Sequence, residues 1–228
     1  MDFKNTTISI DRPFTSYCKV QGAIGFLVRN RKSLINQHRI SKRNYLNIGC
    51  GPHPHDDFIN LDYWWNPKVD ICWDVTKGIP LDDQSVRGIF TEHCFEHLDL
   101  NCMPKVLSEC YRVLRPQGRI RISMPDGELY LHRYSAISQG KASLKLPLAE
   151  THSFQGHYSP ILSVNRIFRD DGHRFIYDFA FLSQLLIAAG FECIQRKSFM
   201  LGEDPHLLID REERVSTSFY VEAARPGC

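Results

Sequence analysis

Apolar residues recur along this chain with two different periods, and the change of period marks out its elements. Short runs rich in β-branched and aromatic residues, bounded by polar turns, read as buried strands. Tyr45-Leu46-Asn47-Ile48 is the first and ends at Gly49. Phe58–Leu61 ends at Asp62, Val69–Trp73 at Asp74, and Gly88–Thr91 at Glu92 and His93. In the fifth, Ile120, Ile122 and Met124 alternate with Arg119, Arg121 and Ser123, and the run ends at Pro125-Asp126. Helical spacing places Val106, Leu107, Cys110, Tyr111 and Leu114 on one face, with Pro104 in the first turn and Arg115-Pro116-Gln117-Gly118 as the stop. A second amphipathic helix carries Phe181, Leu182, Leu185, Leu186 and Ala189 and closes at Gly190. Another helix is expected around Ile24–Ile35. Residues 127–170 lack a clear period and predict an insertion with one short helix. Two last strands, 191–197 and 216–223, are separated by a long loop, which predicts an antiparallel hairpin at a sheet edge.

Strands alternating with helices predict an α/β fold: a doubly wound, mostly parallel seven-stranded sheet with an antiparallel C-terminal strand. The organisation expected is a basic lead-in or lid over residues 1–43, then a single domain over 44–228 that carries the insertion at about 127–170. Ligands of such sheets bind at the carboxyl ends of the strands. Gly49, Asp62, Asp74, Glu92, His93 and Asp126 therefore share one rim.

Gly49-Cys50-Gly51 follows a strand, but the third glycine of a dinucleotide fingerprint is replaced by Pro54. Only residues 50–57 separate the first two strands, and Pro52 and Pro54 lie among them. A parallel crossover with a helix takes at least about 10–12 residues. The first crossover is thus too short for a helix, and no helix N-terminus is available for a pyrophosphate. That argues against NAD, FAD or ATP held by its phosphates. It leaves room for a nucleoside without phosphates, approached by the backbone of Gly49 and Gly51, with Asp62 for the ribose hydroxyls and Asp74 or its neighbours for the adenine.

Composition narrows the class further. With 228 residues, 43% of them hydrophobic and 24% charged, the chain can bury a substantial core and is neither disordered nor fibrous. No stretch approaches the roughly 20 apolar residues of a membrane span, and Met1-Asp2-Phe3-Lys4 has no signal-peptide layout. Eight cysteines form no C-x-x-C pair, which predicts reduced thiols in a cytoplasmic protein. Net charge is +2, yet Arg12, Lys19, Arg29, Arg31, Lys32, Arg39, Lys42 and Arg43 stand in a segment with no acid between Asp11 and Asp56. Residues 12–43 are read as a solvated basic element or a peripheral contact with a membrane or an anionic substrate.

Several motifs in order then carry a resemblance. Leu46-Asn47-Ile48-Gly49-Cys50-Gly51-Pro52, Ile59-Asn60-Leu61-Asp62, Asp74-Val75 and Ile79-Pro80-Leu81-Asp82-Asp83-Gln84-Ser85 are followed by Glu92-His93-Cys94-Phe95-Glu96-His97-Leu98, Leu114-Arg115-Pro116-Gln117-Gly118 and Ala189-Gly190-Phe191. The sequence resembles class I S-adenosylmethionine-dependent methyltransferases of the type 11 group, especially those found among bacterial surface-polysaccharide genes. The likeness implies a Rossmann-like methyltransferase fold and S-adenosyl-L-methionine as cofactor. By position it implies that Gly49, Cys50 and Gly51 line the methionine and ribose, that Asp62 binds the ribose, and that Asn47 and Tyr63 belong to the same cofactor site. Asp74 and Val75 would flank the adenine, and Glu92 would face the reacting end. Asn47 stands where many relatives have an acid, and Pro52-His53 departs from the usual small residue.

His93, first after the fourth strand, is the expected general base for a hydroxyl acceptor, with Asp126 and His173 behind it. The expected reaction is in-line methyl transfer to a small molecule or glycan, at oxygen; the alternative is a non-catalytic cofactor-binding scaffold of the same fold. Tyr130, His132, Tyr134, His152, His157 and Tyr158 of the insertion are expected to cover the acceptor. The rim lacks the Asn/Asp-Pro-Pro-Tyr pattern of amide and base N-methylation, and no base-reading module is present, which disfavours nucleic acid. His93-Cys94-Phe95-Glu96-His97 fits the H-x-x-E-H pattern of a zinc peptidase. It begins at a strand end with no acidic ligand on a following helix, so no metal is expected.

Overall fold

The computed structural model of the protein describes residues 16–141, 145–147 and 153–227. Met1–Lys4, Asp11, Arg12 and His152, named above, lie outside the described residues. Seven strands form one sheet: β1 (Tyr45–Ile48), β2 (Phe58–Asp62), β3 (Ile71–Cys72), β4 (Val86–Glu92), β5 (Leu114–Pro125), β8 (Glu192–Lys197) and β9 (Ser218–Ala224). Their order is β3-β2-β1-β4-β5-β9-β8. The first five run parallel, β9 pairs antiparallel with β5, and β8 pairs antiparallel with β9 at the edge. A separate hairpin, β6 (Ser153–Phe154) and β7 (His157–Tyr158), belongs to the insertion. This is the sheet that the sequence pattern predicts, with its final strand reversed.

The helices are α1 (Ser16–Val28), α2 (Gln37–Ile40), α3 (Met103–Val113), α4 (Gly127–Ser138), α5 (Pro160–Arg169) and α6 (Phe179–Ala188). Residues 49–57, between β1 and β2, contain no helix, as the short spacing requires. Two expectations need correction. The helix placed over Ile24–Ile35 ends at Val28, because Asn30 adopts the left-handed region (φ +62°) and its N–H turns to the Cys72 carbonyl at 3.1 Å. Among its described residues the insertion holds two helices rather than one. Asp126 starts α4 by accepting from Leu129 N–H at 3.0 Å. The period of α4 was faint because only Gly127 and Tyr130 are buried in it. Tyr130 joins Leu146 and Ile167 in a small satellite core.

The two faces of the sheet are built differently. Leu46, Ile48, Ile59, Leu61, Ile89, Ile120, Ile122 and Val221 point to one face, where Val106, Leu107 and Cys110 of α3 and Leu182 and Leu186 of α6 close the main core. Each such aliphatic side chain contributes roughly 1.5–3 kcal/mol on burial. The opposite face carries a small cluster of Tyr45, Phe58, Phe90 and Leu207. Beside it lie Asn47, Asn60, Arg121, Ser123 and Glu222, all buried. The β8–β9 loop, through Leu207 and Asp210, covers this face. No helix of the described residues is long and apolar enough to cross a membrane.

Candidate functional site

The carboxyl ends of β1 and β2 are tied by their own backbone. Gly49 N–H donates to Leu61 O at 2.8 Å, and the chain then turns through Gly49 (φ +71°) and Gly51 (φ +52°). A side chain at Gly49 would stand 2.4 Å from Cys94 Sγ, so glycine is required for the loop to seat against the turn after β4. A Cβ at Gly51 would meet nothing within 4 Å. That position presents bare backbone to open space.

Asp62 is the fixed point of this loop. Its Oδ2 accepts from Gly51 N–H at 2.7 Å and its Oδ1 from Trp64 N–H at 2.6 Å. Burial pushes its carboxyl pKa up, against the lowering effect of those two amides and of Arg29. Below the loop, Asn47 Nδ2 approaches Asn60 Oδ1 at 3.4 Å, and Asn60 holds His55 through its N–H at 2.8 Å. Asn47 thus props the loop from inside. Cys50 is buried, which pushes its thiol pKa up. Tyr63 is exposed, with the Arg29 guanidinium 3.5 Å above its ring. Asp74 accepts from Thr76 N–H at 3.1 Å and Thr76 Oγ1 at 2.6 Å, capping a short 3-10 turn, while Val75 packs into the main core. These contacts make Asp74 and Val75 builders of the wall beside β3.

Glu92 closes β4. Its carboxylate pairs with the Arg211 guanidinium and accepts from Arg211 N–H at 3.1 Å, which ties β4 to the covering loop. His93 has φ +50°. Its Nε2 lies 2.7 Å from Ser218 Oγ, and its Nδ1 lies 3.3 Å from Glu96 Oε1. Burial, reinforced by Arg214 and Arg211, lowers its pKa to about 2. The ring is therefore neutral at physiological pH. Asp126 forms an ion pair with Arg196 at 2.6 Å besides capping α4.

His173 does arrive at the rim's edge. It sits T-shaped on His97, ring centroids 5.0 Å apart, and Glu96, His97 and His173 place ligand atoms within 4.8 Å of one another. His93 and His97 do not share a helix; residues Phe95–His97 form one 3-10 turn. Neither Arg211 nor Ser218 stood out in the sequence. The charge-dense run Asp210-Arg211-Glu212-Glu213-Arg214 was the only local signal for the former.

The basic lead-in is partly consumed by the fold. Arg39 and Arg43 both pair with the buried Asp70, at 2.8 and 2.7 Å, and Arg29 Nε donates to Tyr63 O at 2.8 Å.

Comparison with known proteins follows this geometry. Residues 58–122 match a family model described as a methyltransferase domain. A stretch of 106 residues is 33% identical to a probable S-adenosylmethionine-dependent methyltransferase of Mycolicibacterium smegmatis, covering 39% of this chain and 40% of that protein. The match thus spans about two fifths of the relative's length. Among solved structures, a SAM-dependent methyltransferase from Archaeoglobus fulgidus aligns over 90% of this chain and 94% of its own, at 17% identity and a TM-score of 0.49. One from Mesorhizobium loti aligns over 82% and 93%, at 14% identity and a TM-score of 0.48. From β2 to the middle of β5, therefore, this chain is similar in sequence to methyltransferase domains.

Proposed function

We propose that this protein transfers a methyl group from S-adenosyl-L-methionine to a hydroxyl of a small-molecule or glycan acceptor. The observation that carries the reading is the Gly51–Asp62 pairing. A bare backbone position open to solvent stands beside a buried carboxylate, at the ends of adjacent parallel strands and without a crossover helix. This cradle fits a phosphate-free nucleoside: Gly49–Gly51 permit close approach, Asp62 offers acceptor lone pairs to ribose hydroxyls, and Tyr63 and the Asp74–Val75 turn flank them. When bound, the cofactor supplies a methyl group on a sulfonium, whose leaving group is a neutral thioether.

The protein's task is then chiefly positioning, worth up to roughly 7–11 kcal/mol when two reactants are well oriented. His93 is neutral, with Nε2 on Ser218 Oγ and Nδ1 facing Glu96, so it would reach an acceptor hydroxyl only by exchanging the Ser218 contact, and so depressed a pKa suits strong proton abstraction poorly. Asp126 and His173 are the next candidates for contact with the acceptor. The likeness to methyltransferases of bacterial surface-polysaccharide genes favours a sugar hydroxyl, and the unpaired cysteines of the described residues suit a reducing cytoplasm. A second reading, cofactor binding without catalysis, is favoured by Asn47 in place of an acid, by the shortened first crossover and by the Glu92–Arg211 pair, which already compensates the charge of that acid.

Calorimetry with S-adenosylmethionine, its demethylated product, NAD and ATP tests the proposal. Binding of the first two alone supports it, and tight NAD binding without the sulfonium overturns it. Transfer of labelled methyl to a glycan fraction separates catalysis from the scaffold reading.

A further inference from the structure

We propose that Glu96, His97 and His173 form a binding site for a single first-row divalent transition metal, of which zinc is the representative ion. The three ligand atoms lie within 4.8 Å of one another. A tetrahedral zinc with bonds of about 2.0–2.2 Å holds its ligands about 3.3 Å apart, so small side-chain rotations close the set. Two imidazoles and one carboxylate suit zinc and its neighbours, whereas magnesium and calcium ask for oxygen throughout.

The second line of support is the state of Glu96. Its side chain is 0% exposed, and neither carboxylate oxygen has a hydrogen-bond partner. Such a group costs free energy wherever it is buried without compensation, and native structures rarely leave one. A metal ion is the missing partner that the neighbouring ligands specify. His93, whose Nδ1 is 3.3 Å from Oε1, flanks the carboxylate without hydrogen-bond alignment. Asp171 and Arg214 act on Glu96 with opposite sign.

His173 is also oriented as a ligand. Its Nδ1 lies 2.6 Å from the Ile167 carbonyl, which can only accept, so Nδ1 carries the proton and Nε2 presents its lone pair. Metal-bound histidines are held in this way, with the distal N–H on a backbone carbonyl. His97 is placed by its edge-to-face contact with His173, ring centroids 5.0 Å apart. The backbone is already stitched there, since Glu96 O accepts from Arg174 N–H at 2.8 Å and Phe175 N–H at 3.2 Å. Both histidines are only partly buried, which gives an ion a way in. The fourth tetrahedral position falls to water or another ligand. The expectation that no metal is held rested on looking for a third ligand on the following helix; His173 comes instead from the end of the insertion.

The test is metal binding by the full-length protein, stripped with a chelator and then titrated with Zn²⁺ and separately with Co²⁺. The expected result is one equivalent of Zn²⁺ per chain, a melting temperature that rises on addition of the ion, and Co²⁺ d–d bands of a nitrogen–oxygen tetrahedral site. His97→Ala and His173→Ala should each weaken Zn²⁺ by more than about 100-fold, since even outer contacts to metal ligands are worth 10–100-fold. His132→Ala, on the exposed face of α4, should bind as the wild type does. Three results overturn the proposal: no Zn²⁺ uptake by the stripped protein, undiminished uptake by folded His97→Ala and His173→Ala, or a thiolate-to-Co²⁺ charge-transfer band, which would put the metal on cysteine. Should either variant fail to fold, the Co²⁺ spectrum of the wild type still decides.

Discussion

The two faces of the sheet bury similar strands by opposite means. On one, α3 and α6 press aliphatic side chains onto β1, β4 and β5. On the other, the loop between β8 and β9 lies over polar groups and is held by ion pairs. Arg121, with no exposed side-chain surface, spends all its donors there. Nε and Nη2 go to Asp210 at 2.8 and 2.5 Å, Nη1 to Glu222 at 3.0 Å and Leu201 O at 3.1 Å, and Nη2 also to Ser198 O at 3.0 Å. Asp210 further accepts from Met200 N–H at 2.8 Å, and Glu222 from Glu203 N–H at 2.9 Å. An apolar face tolerates any partner of the right shape. A face held by one fully satisfied guanidinium specifies one loop conformation, and that loop carries Arg211 to Glu92 and Arg214 towards His93. The rim therefore depends on the polar face for its electrostatics and on the apolar face for its rigidity.

The sharpest way to break this contrast is Arg121→Met. It leaves two buried carboxylates without a cation and should destabilise the protein by about 3–5 kcal/mol, read by chemical denaturation. Combining it with Asp210→Asn and Glu222→Gln, which removes the charges but keeps acceptors for Met200 and Glu203, should recover a large part of that loss. No recovery would mean that the guanidinium acts by filling space. On the apolar face, Leu107→Ala should cost about 2–5 kcal/mol with no comparable rescue, because a cavity has no charge to neutralise. Cofactor affinity should fall only as far as that protein unfolds.

The rim itself responds to smaller changes. Asp62→Ala should raise the dissociation constant for S-adenosylmethionine by roughly 10- to 150-fold, equivalent to about 1.5–3 kcal/mol, and calorimetry reads it directly. An unchanged constant would remove Asp62 from the cradle. Smaller still, Arg39→Ala should shift stability by less than about 1 kcal/mol, since Arg39 is partly exposed and Arg43 keeps Asp70 paired. Thiol chemistry compares the interior with the surface. Burial raises the pKa of Cys110, so an alkylating reagent at pH 8 should modify the exposed Cys193 and leave Cys110 intact in the folded protein, as peptide mapping would show.

Strand and helix periods are local properties, and the sequence alone determined what is local. The runs at Tyr45–Ile48, Phe58–Asp62 and Val86–Glu92, the helices around Val106 and Leu182, and the reversed last strand were all readable from alternation and turn residues. So was the missing helix after β1, because eight residues with two prolines cannot hold one. The convergence of Gly49, Gly51 and Asp62 followed from the rule that parallel strands end on one rim. Contacts between distant polar groups were decided by the tertiary structure. Arg121 reads as a solvent-facing residue of an alternating strand until a loop some eighty residues later covers it. Glu92 pairs with Arg211, and His93 meets Ser218, two partners more than a hundred residues away in sequence. His173 reaches Glu96 only because the end of the insertion is stitched to the turn after β4. Periodicity records which face a residue occupies; which charge waits on that face depends on the path of the chain through space.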